Sequence, residues 1–268
     1  MFYKGNARDP NVSSLARIWP LLPHEMASHP LFESWLGGIT DVAWVNAQYQ
    51  GAASYVDHEL GRLFDVLEQR HALDKTAIVF TSDHGESLGE HGMYFVHMGL
   101  YEPTVHIPLI TYFPGSHRQG VVVEDVVQSV DIMPTLLEYL GQNFPENIRG
   151  KSLWPLIEGN AQPARTAFIE HAGRSQIALR SAQYKYIKHL RTHHIQPSYP
   201  FTAGREELYD LVLDPGELED ISKRKPAVLR AMRKQAQAHV NERQNLHKGE
   251  AHLDDSTLDS LRALGYVR

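Results

Sequence analysis

Asp83 and His84 stand side by side where an apolar, β-branched run, Lys75-Thr76-Ala77-Ile78-Val79-Phe80-Thr81, gives way to a loop that opens with Gly85. The run predicts a buried strand, and the ends of such strands are where open α/β sheets present ligands and catalytic groups. Adjacent side chains on an extended strand point to opposite faces. Both therefore reach one ion only if the backbone turns at this point, and Gly85 makes such a turn easy. A carboxylate oxygen beside an imidazole nitrogen suits a divalent cation. The competing reading has Asp83 capping a helix and His84 packing. The loop Gly85-Glu86-Ser87-Leu88-Gly89-Glu90-His91-Gly92, followed by His97, Tyr101 and Glu102, is able to bring several donors over the same place.

The surrounding elements are those of a layered α/β core. Residues 1–46 carry Pro10, Pro20, Pro23 and Pro30 with no sustained period, and read as loop with short helical pieces. From Tyr49 to about Gln69, Ala52, Tyr55, Val56, Leu60, Leu63, Phe64 and Leu67 recur at spacings of three and four, which predicts an amphipathic helix. Further strands are predicted over Ile107 to Phe113 and, shorter, at Val121-Val122-Val123. A helix is predicted over Asp131 to Leu140, with Pro134 in its first turn and Gly141 past its end. Helix, strand, loop, strand and helix in succession imply stacked layers.

Beyond about residue 160 the texture changes to short strand candidates at Thr166 to Glu170, Gln176 to Arg180 and Tyr184 to His189, which imply a small antiparallel sheet. A polar helix follows from Pro226 to about Gln244 with Val228, Leu229, Met232, Ala236 and Val240 on one face, and a last element is expected from Leu258 to Val267. A boundary near Gly159-Asn160 separates the two parts.

Composition excludes several classes. With 26 basic and 32 acidic residues the net charge is −6, so no basic field is available for nucleic acid. The chain has no cysteine, which removes disulfides, thiolate metal sites and cysteine nucleophiles from these residues. No basic segment followed by an apolar one opens the chain, and no run approaches the roughly 18 apolar residues of a membrane span, which predicts a soluble chain with no visible address. With 16 histidines, each candidate ligand has to be argued individually. Asp57 reads as an exposed helical position and Asp131 as an N-cap. Lys185 and Lys188 line a cleft or, more simply, a solvated strand face. His193-His194 lacks companions at ligand spacing.

The segment Thr81 to Gly92 resembles the part of the sulfatase family, in the alkaline-phosphatase superfamily, where an Asp and the next residue, Asn or His, ligate the metal. Tyr101-Glu102 leading into Ile107-Pro108-Leu109-Ile110, the helix pattern Tyr55 to Leu63, and Val130-Asp131-Ile132-Met133-Pro134-Thr135-Leu136-Leu137 are similar to further segments of that family. So are Gly150-Lys151-Ser152-Leu153, Tyr184-Lys185-Tyr186-Ile187, Glu207-Leu208-Tyr209-Asp210-Leu211 with Asp214-Pro215 and Glu217, and the tail Leu264-Gly265-Tyr266-Val267. The matches run in order over roughly residues 45–268.

The resemblance implies part of an alkaline-phosphatase-like α/β/α sandwich over residues 1–159 and a small antiparallel α+β subdomain over 160–268. It implies hydrolysis of sulfuric esters, with Asp83 and His84 as metal ligands. Calcium is the family's metal, while a histidine ligand also suits manganese or zinc. His97 falls near a position where many members place a lysine on the sulfate group, and so becomes a candidate to contact a substrate oxygen or protonate the leaving group. His91 is a second candidate substrate contact, and Glu86 and Glu102 are expected to order the loop.

The family's nucleophile, a formylglycine made from Cys or Ser in a Cys/Ser-x-Pro-x-Arg motif, has no counterpart here, nor does its early Asp-Asp pair. The chain therefore reads as an N-terminally truncated member, inactive alone, with an unprotected sheet edge and exposed apolar area. The expected partners are a small-molecule or saccharide sulfate ester, and a missing N-terminal half or a second copy. Phosphonate and phosphate ester hydrolases of the same superfamily, and a non-catalytic remnant, are the alternatives.

Overall fold

The computed structural model describes residues 2–22, 24–143, 148–160, 162–171, 173–196 and 199–246. Three short helices, α1 (Ser14–Ile18), α2 (His24–Ala27) and α3 (Pro30–Leu36), precede the long helix α4 (Val42–Gln69). α4 begins seven residues before its apolar period because Asp41 caps it: Oδ1 accepts Ala43 N–H at 3.1 Å and the Ser14 hydroxyl at 3.0 Å. Val45 and Ala47, near its start, are buried. Tyr55, Val56, Leu63 and Phe64 farther along are exposed while Leu60 and Leu67 are half-buried, so the helix was legible from its period although the described residues leave much of its stripe uncovered.

β1 (Ile78–Thr81) delivers the Asp-His pair. It leads to the hairpin of β2 (Ser87–Leu88) and β3 (Tyr94–Val96), then to α5 (Glu102–Val105) and β4 (Leu109–Tyr112). β4 returns antiparallel to β1 with Thr81 opposite Leu109, so the end of β1 lies beside the start of β4. Ile110 and Tyr112 on β4 are exposed. Exposed apolar area, expected from the sequence, is thus present on both α4 and β4. Val121-Val122-Val123 does not form the expected strand: it is irregular and exposed, and no strand among the described residues offers it a ladder.

α6 (Ile132–Tyr139) matches its expected helix, with Gly141 at φ +64° just past its end. Asp131 sits before it, but its carboxylate does not cap α6. Buried completely, it accepts Gln128 N–H at 2.9 Å and Lys151 N–H at 2.8 Å and pairs with Arg165 Nη2 at 2.5 Å. The side chain ties three segments together, which corrects the simple N-cap reading.

After α7 (Trp154–Ile157) the chain forms β5 (Ala167–Glu170), β6 (Gln176–Arg180) and β7 (Tyr184–His189), then the hairpin of β8 (His193–Gln196) and β9 (Tyr199–Phe201), then β10 (Glu206–Asp210) and α8 (Pro226–Leu246). The order β10-β7-β6-β5 gives an antiparallel sheet whose outer face packs Ile177, Leu179, Tyr186 and Leu208 against Met232 and Ala236 of α8. Its inner face sends Ala178, Ile187 and Tyr209 into one core with Phe201 of β9 and with Met93, Val96, Leu100 and Tyr101. The main core therefore crosses the position near residue 160 where the composition changes. No helix among the described residues is long and apolar enough to cross a membrane. The expected element from Leu258 to Val267, and the family-like tail within it, lie outside the described residues.

Candidate functional site

The backbone turn at Gly85 is what brings the pair together. Gly85 N–H donates to Thr104 O at 2.9 Å, and a Cβ at Gly85 would lie 2.1 Å from Pro103 O, so only glycine lets the strand end press against α5. Asp83 Oδ1 accepts His84 N–H at 2.9 Å, and Asp83 Oδ2 lies 3.6 Å from His84 Nε2. His84 Nδ1 sits 2.8 Å from Gly85 O. A carbonyl only accepts, so Nδ1 carries a proton, and in the neutral ring the lone pair is on Nε2. The result is a carboxylate oxygen and a ring nitrogen side by side on an exposed face.

His97, at the end of the β2–β3 hairpin, stacks on His84 with ring centroids 4.1 Å apart, and its Nδ1 is 3.6 Å from Glu86 Oε2. Burial raises the Glu86 carboxyl, while the His97 and His84 rings pull it the other way. One donor atom from each of His84, Glu86 and His97 lies within 4.8 Å of the other two. Glu86, expected only to order the loop, is thereby a third member of the cluster.

His91 is placed elsewhere. Its φ of +54° turns the ring inward, where it stacks on Tyr101 at 3.8 Å and its Nε2 lies 3.7 Å from Glu217 Oε2. The ring expected at the substrate is buried beneath the loop instead. There it meets a polar layer that sequence reasoning missed. Lys185, expected on a cleft or a solvated face, is fully buried with Nζ 3.0 Å from Glu102 Oε1 and 2.9 Å from Glu217 Oε1. Glu217 Oε2 also accepts Glu102 N–H at 2.7 Å, and Arg180 Nε and His106 Nδ1 approach Glu102 at 3.2 Å.

Burial alone would push the Glu102 carboxyl up, yet the His106 hydrogen bond and the Lys185 and Arg180 charges hold it well below the usual carboxylate range. Glu207, also buried, accepts from Tyr101 Oη at 2.9 Å and from Tyr209, and pairs with His189 Nε2 at 2.6 Å. Desolvation opposes these bonds and loses, so its pKa is lowered. Tyr101 and Glu102, which carry the loop into α5, are thus held from below by the C-terminal sheet. Asp57 is exposed on α4, and the side chains of His193 and His194 lie outside the described residues.

A family model described as Sulfatase matches residues 24–142, and one described as N-sulphoglucosamine sulphohydrolase, C-terminal, matches residues 89–245, more than half of the chain. The chain belongs to the sulfatase family. Arylsulfatase K of Mus musculus is 33% identical to this sulfatase over 210 residues, covering 74% of the chain and 36% of the relative. N-acetylglucosamine-6-O-sulfatase of Bacteroides thetaiotaomicron is 31% identical over 201 residues, covering 69% of the chain and 34% of the relative. This sulfatase therefore spans about a third of the length of these relatives.

A protein solved in complex with its substrate D-glucosamine-2-N,6-O-disulfate superposes with a TM-score of 0.63 at 24% identity, over 87% of this chain and 50% of that one. It shares the fold, so the α/β sulfatase architecture with a small antiparallel sheet stands as expected. Sulfatases use a divalent metal. Asp83 and His84 fit one, since their donor atoms converge to 3.6 Å on an exposed face.

Proposed function

We propose that this chain contributes the metal-binding strand end and the substrate-facing loop of an enzyme that hydrolyses sulfate esters on saccharides. The observation that carries the reading is the 3.6 Å convergence of Asp83 Oδ2 and His84 Nε2 directly below the His97 ring. In this assignment Asp83 and His84 are two ligands of a divalent cation, calcium by family, with manganese and zinc as the alternatives a nitrogen donor favours. When bound, such a cation supplies Lewis acidity toward sulfate oxygens and lowers the pKa of the attacking group.

Gly85 O fixes the His84 tautomer so that Nε2 faces the cation. His97, stacked on His84, is the catalytic candidate: its ring reaches a sulfate oxygen or donates a proton to the departing alcohol oxygen. Glu86 orients that ring. His91, buried against Tyr101, positions the loop in place of touching substrate. The nucleophile comes from polypeptide outside these residues, since the chain has no cysteine and no Ser-x-Pro-x-Arg sequence. The saccharide class is supported by the relative named as an N-acetylglucosamine-6-O-sulfatase and by the disulfated glucosamine bound to the structural neighbour. The exposed apolar faces of α4 and β4 are where that further polypeptide packs, a second copy of this chain being the competing occupant.

The test has two parts. Calcium titrated into chelator-treated chain should bind more weakly in Asp83→Asn and His84→Ala by at least about tenfold; unchanged binding removes the ligand assignment. Aryl sulfate, glucosamine 6-sulfate, a phosphodiester and a phosphonate monoester are then offered to the chain alone and to a longer polypeptide carrying Cys/Ser-x-Pro-x-Arg. Turnover of the sulfates only by the longer form supports the reading. Robust turnover by the chain alone contradicts the external nucleophile, and preference for the phosphorus esters moves the enzyme to the phosphonate or phosphate hydrolases of the superfamily.

A further inference from the structure

The donor chemistry around His84 is lopsided. On one side, Asp83 offers only oxygen, with Oδ2 3.6 Å from Nε2. On the other, Glu86 and His97 offer a carboxylate and a second imidazole, and together with His84 their donor atoms fall within 4.8 Å of one another. Zinc bonds of about 2.0–2.1 Å to three tetrahedral ligands place those atoms roughly 3.3 Å apart. The His97 Nδ1 to Glu86 Oε2 separation is already 3.6 Å. The two rings are stacked at 4.1 Å with an interplanar angle of 22°, so the exposed His97 ring has to swing out of the stack to aim its nitrogen at the same ion as His84. Two imidazoles and one carboxylate favour a borderline transition metal, whereas calcium seeks six to eight oxygens.

We infer that His84, Glu86 and His97 form a second, nitrogen-rich cation site, selective for zinc-like ions, which shares His84 with the Asp83 register. The site rests on this geometry and stands apart from any ester hydrolysis. Its consequence does rest on the proposed function: zinc in this register takes His84 from the oxygen-rich site and occupies the imidazole assigned to sulfate. Zinc and calcium are then mutually exclusive, and zinc is an inhibitor of the assembled enzyme.

The experiment uses the full chain freed of metal with a chelator and titrated with zinc by calorimetry, with cobalt as an optical substitute for coordination geometry. The expected result is a tight event at one ion per chain that weakens by about tenfold or more in both His97→Ala and Glu86→Gln. Binding should change less than about threefold in His58→Ala, on an exposed turn of α4, and Asp83→Asn, which removes a neighbouring charge but no ligand of this site, should cost less than either ligand variant. In the unsubstituted chain, zinc should protect His84 and His97, but not His58, from diethyl pyrocarbonate, mapped by mass spectrometry. That readout does not depend on any variant folding. Parental zinc affinity in His97→Ala and Glu86→Gln, or unchanged labelling of His97, overturns the site. Equal loss in Asp83→Asn overturns the separate register. Neither result touches the sulfatase reading, which is decided by turnover of the sulfate esters.

Discussion

Lys185 on β7 reaches through the core to Glu102 at the start of α5, with Nζ 3.0 Å from Oε1 and no part of the lysine side chain exposed. The same ammonium pairs with Glu217 Oε1 at 2.9 Å. One cation therefore bridges two carboxylates from distant segments. Removing one partner of a buried ion pair leaves an uncompensated charge, so Lys185→Met should lose about 3–5 kcal/mol of stability in urea denaturation. Pairing it with Glu102→Gln and Glu217→Gln should recover part of that loss. A Lys185→Met midpoint within error of the parent would mean that the ammonium is not the centre of the layer.

The Glu102 carboxyl is depressed, so its contribution to folding is present above the unfolded value of about 4.3 and is lost as pH falls through the folded value. His106 is raised, chiefly by its hydrogen bond to Glu102, so its contribution is complete below about 6.5 and is lost as pH rises through the elevated value. Thermal midpoints should therefore fall on both sides, steeply in acid and gently above neutrality. Glu102→Gln should abolish the alkaline limb and flatten the acid one. A residual acid limb from the depressed Glu207 should persist.

Asp131 is the other buried charge whose loss has a calculable cost. It accepts two backbone N–H groups and pairs with Arg165, joining the turn before α6 to the Gly150-Lys151 segment and to the irregular segment leading into β5. Asp131→Asn keeps the shape, removes the charge, and leaves Arg165 with most of its side chain out of water and no counter-ion. A loss of about 2–4 kcal/mol is expected in denaturant unfolding. Arg165→Met in the same background should be close to additive-neutral, because the unpaired charge is then gone.

How much of this was legible in the sequence follows from the range of each interaction. β1, α6, α8 and the strands β5 to β7 were readable because their patterns are local. That Asp83, His84 and His97 come together was readable because strand end, glycine and loop lie within 15 residues. His91 lies in the same loop, but its inward turn depends on a positive φ and on Tyr101, neither of which its neighbours announce.

Lys185 looked solvated because a lone lysine in a strand normally is. The signal that could have corrected this is alternation on β7, where Tyr186 and Ile187 point to opposite faces and are both fully buried. A strand covered on both faces leaves no solvated side for Lys185, which shares its face with Ile187 and His189. β10 was missed because Glu206-Glu207 opens it with two charges whose partners, Arg233 and His189, are distant in sequence. Val121-Val122-Val123 failed in the opposite sense: its composition suits a strand, but a strand also needs a neighbour.

Gly85 makes the sharpest prediction about the site itself. A methyl group there would meet Pro103 O at 2.1 Å and Pro103 C at 3.1 Å, both backbone atoms of α5 that cannot rotate away. Gly85→Ala must therefore push β1 and α5 apart, stretching the 2.9 Å bond from Gly85 N–H to Thr104 O. The same movement displaces Gly85 O, which holds the His84 tautomer, so the cost appears at the metal as well as in the fold. We expect about 2 kcal/mol or more of destabilisation and at least about tenfold weaker calcium binding. Gly92→Ala is the control: the loop there is open around the missing Cβ, so only the strain of its φ of +71° is added. Its cost should be about 1 kcal/mol with metal affinity retained. Equal loss of affinity in the two variants would show that loop flexibility, and not the contact with α5, sets the geometry of the Asp83 and His84 pair.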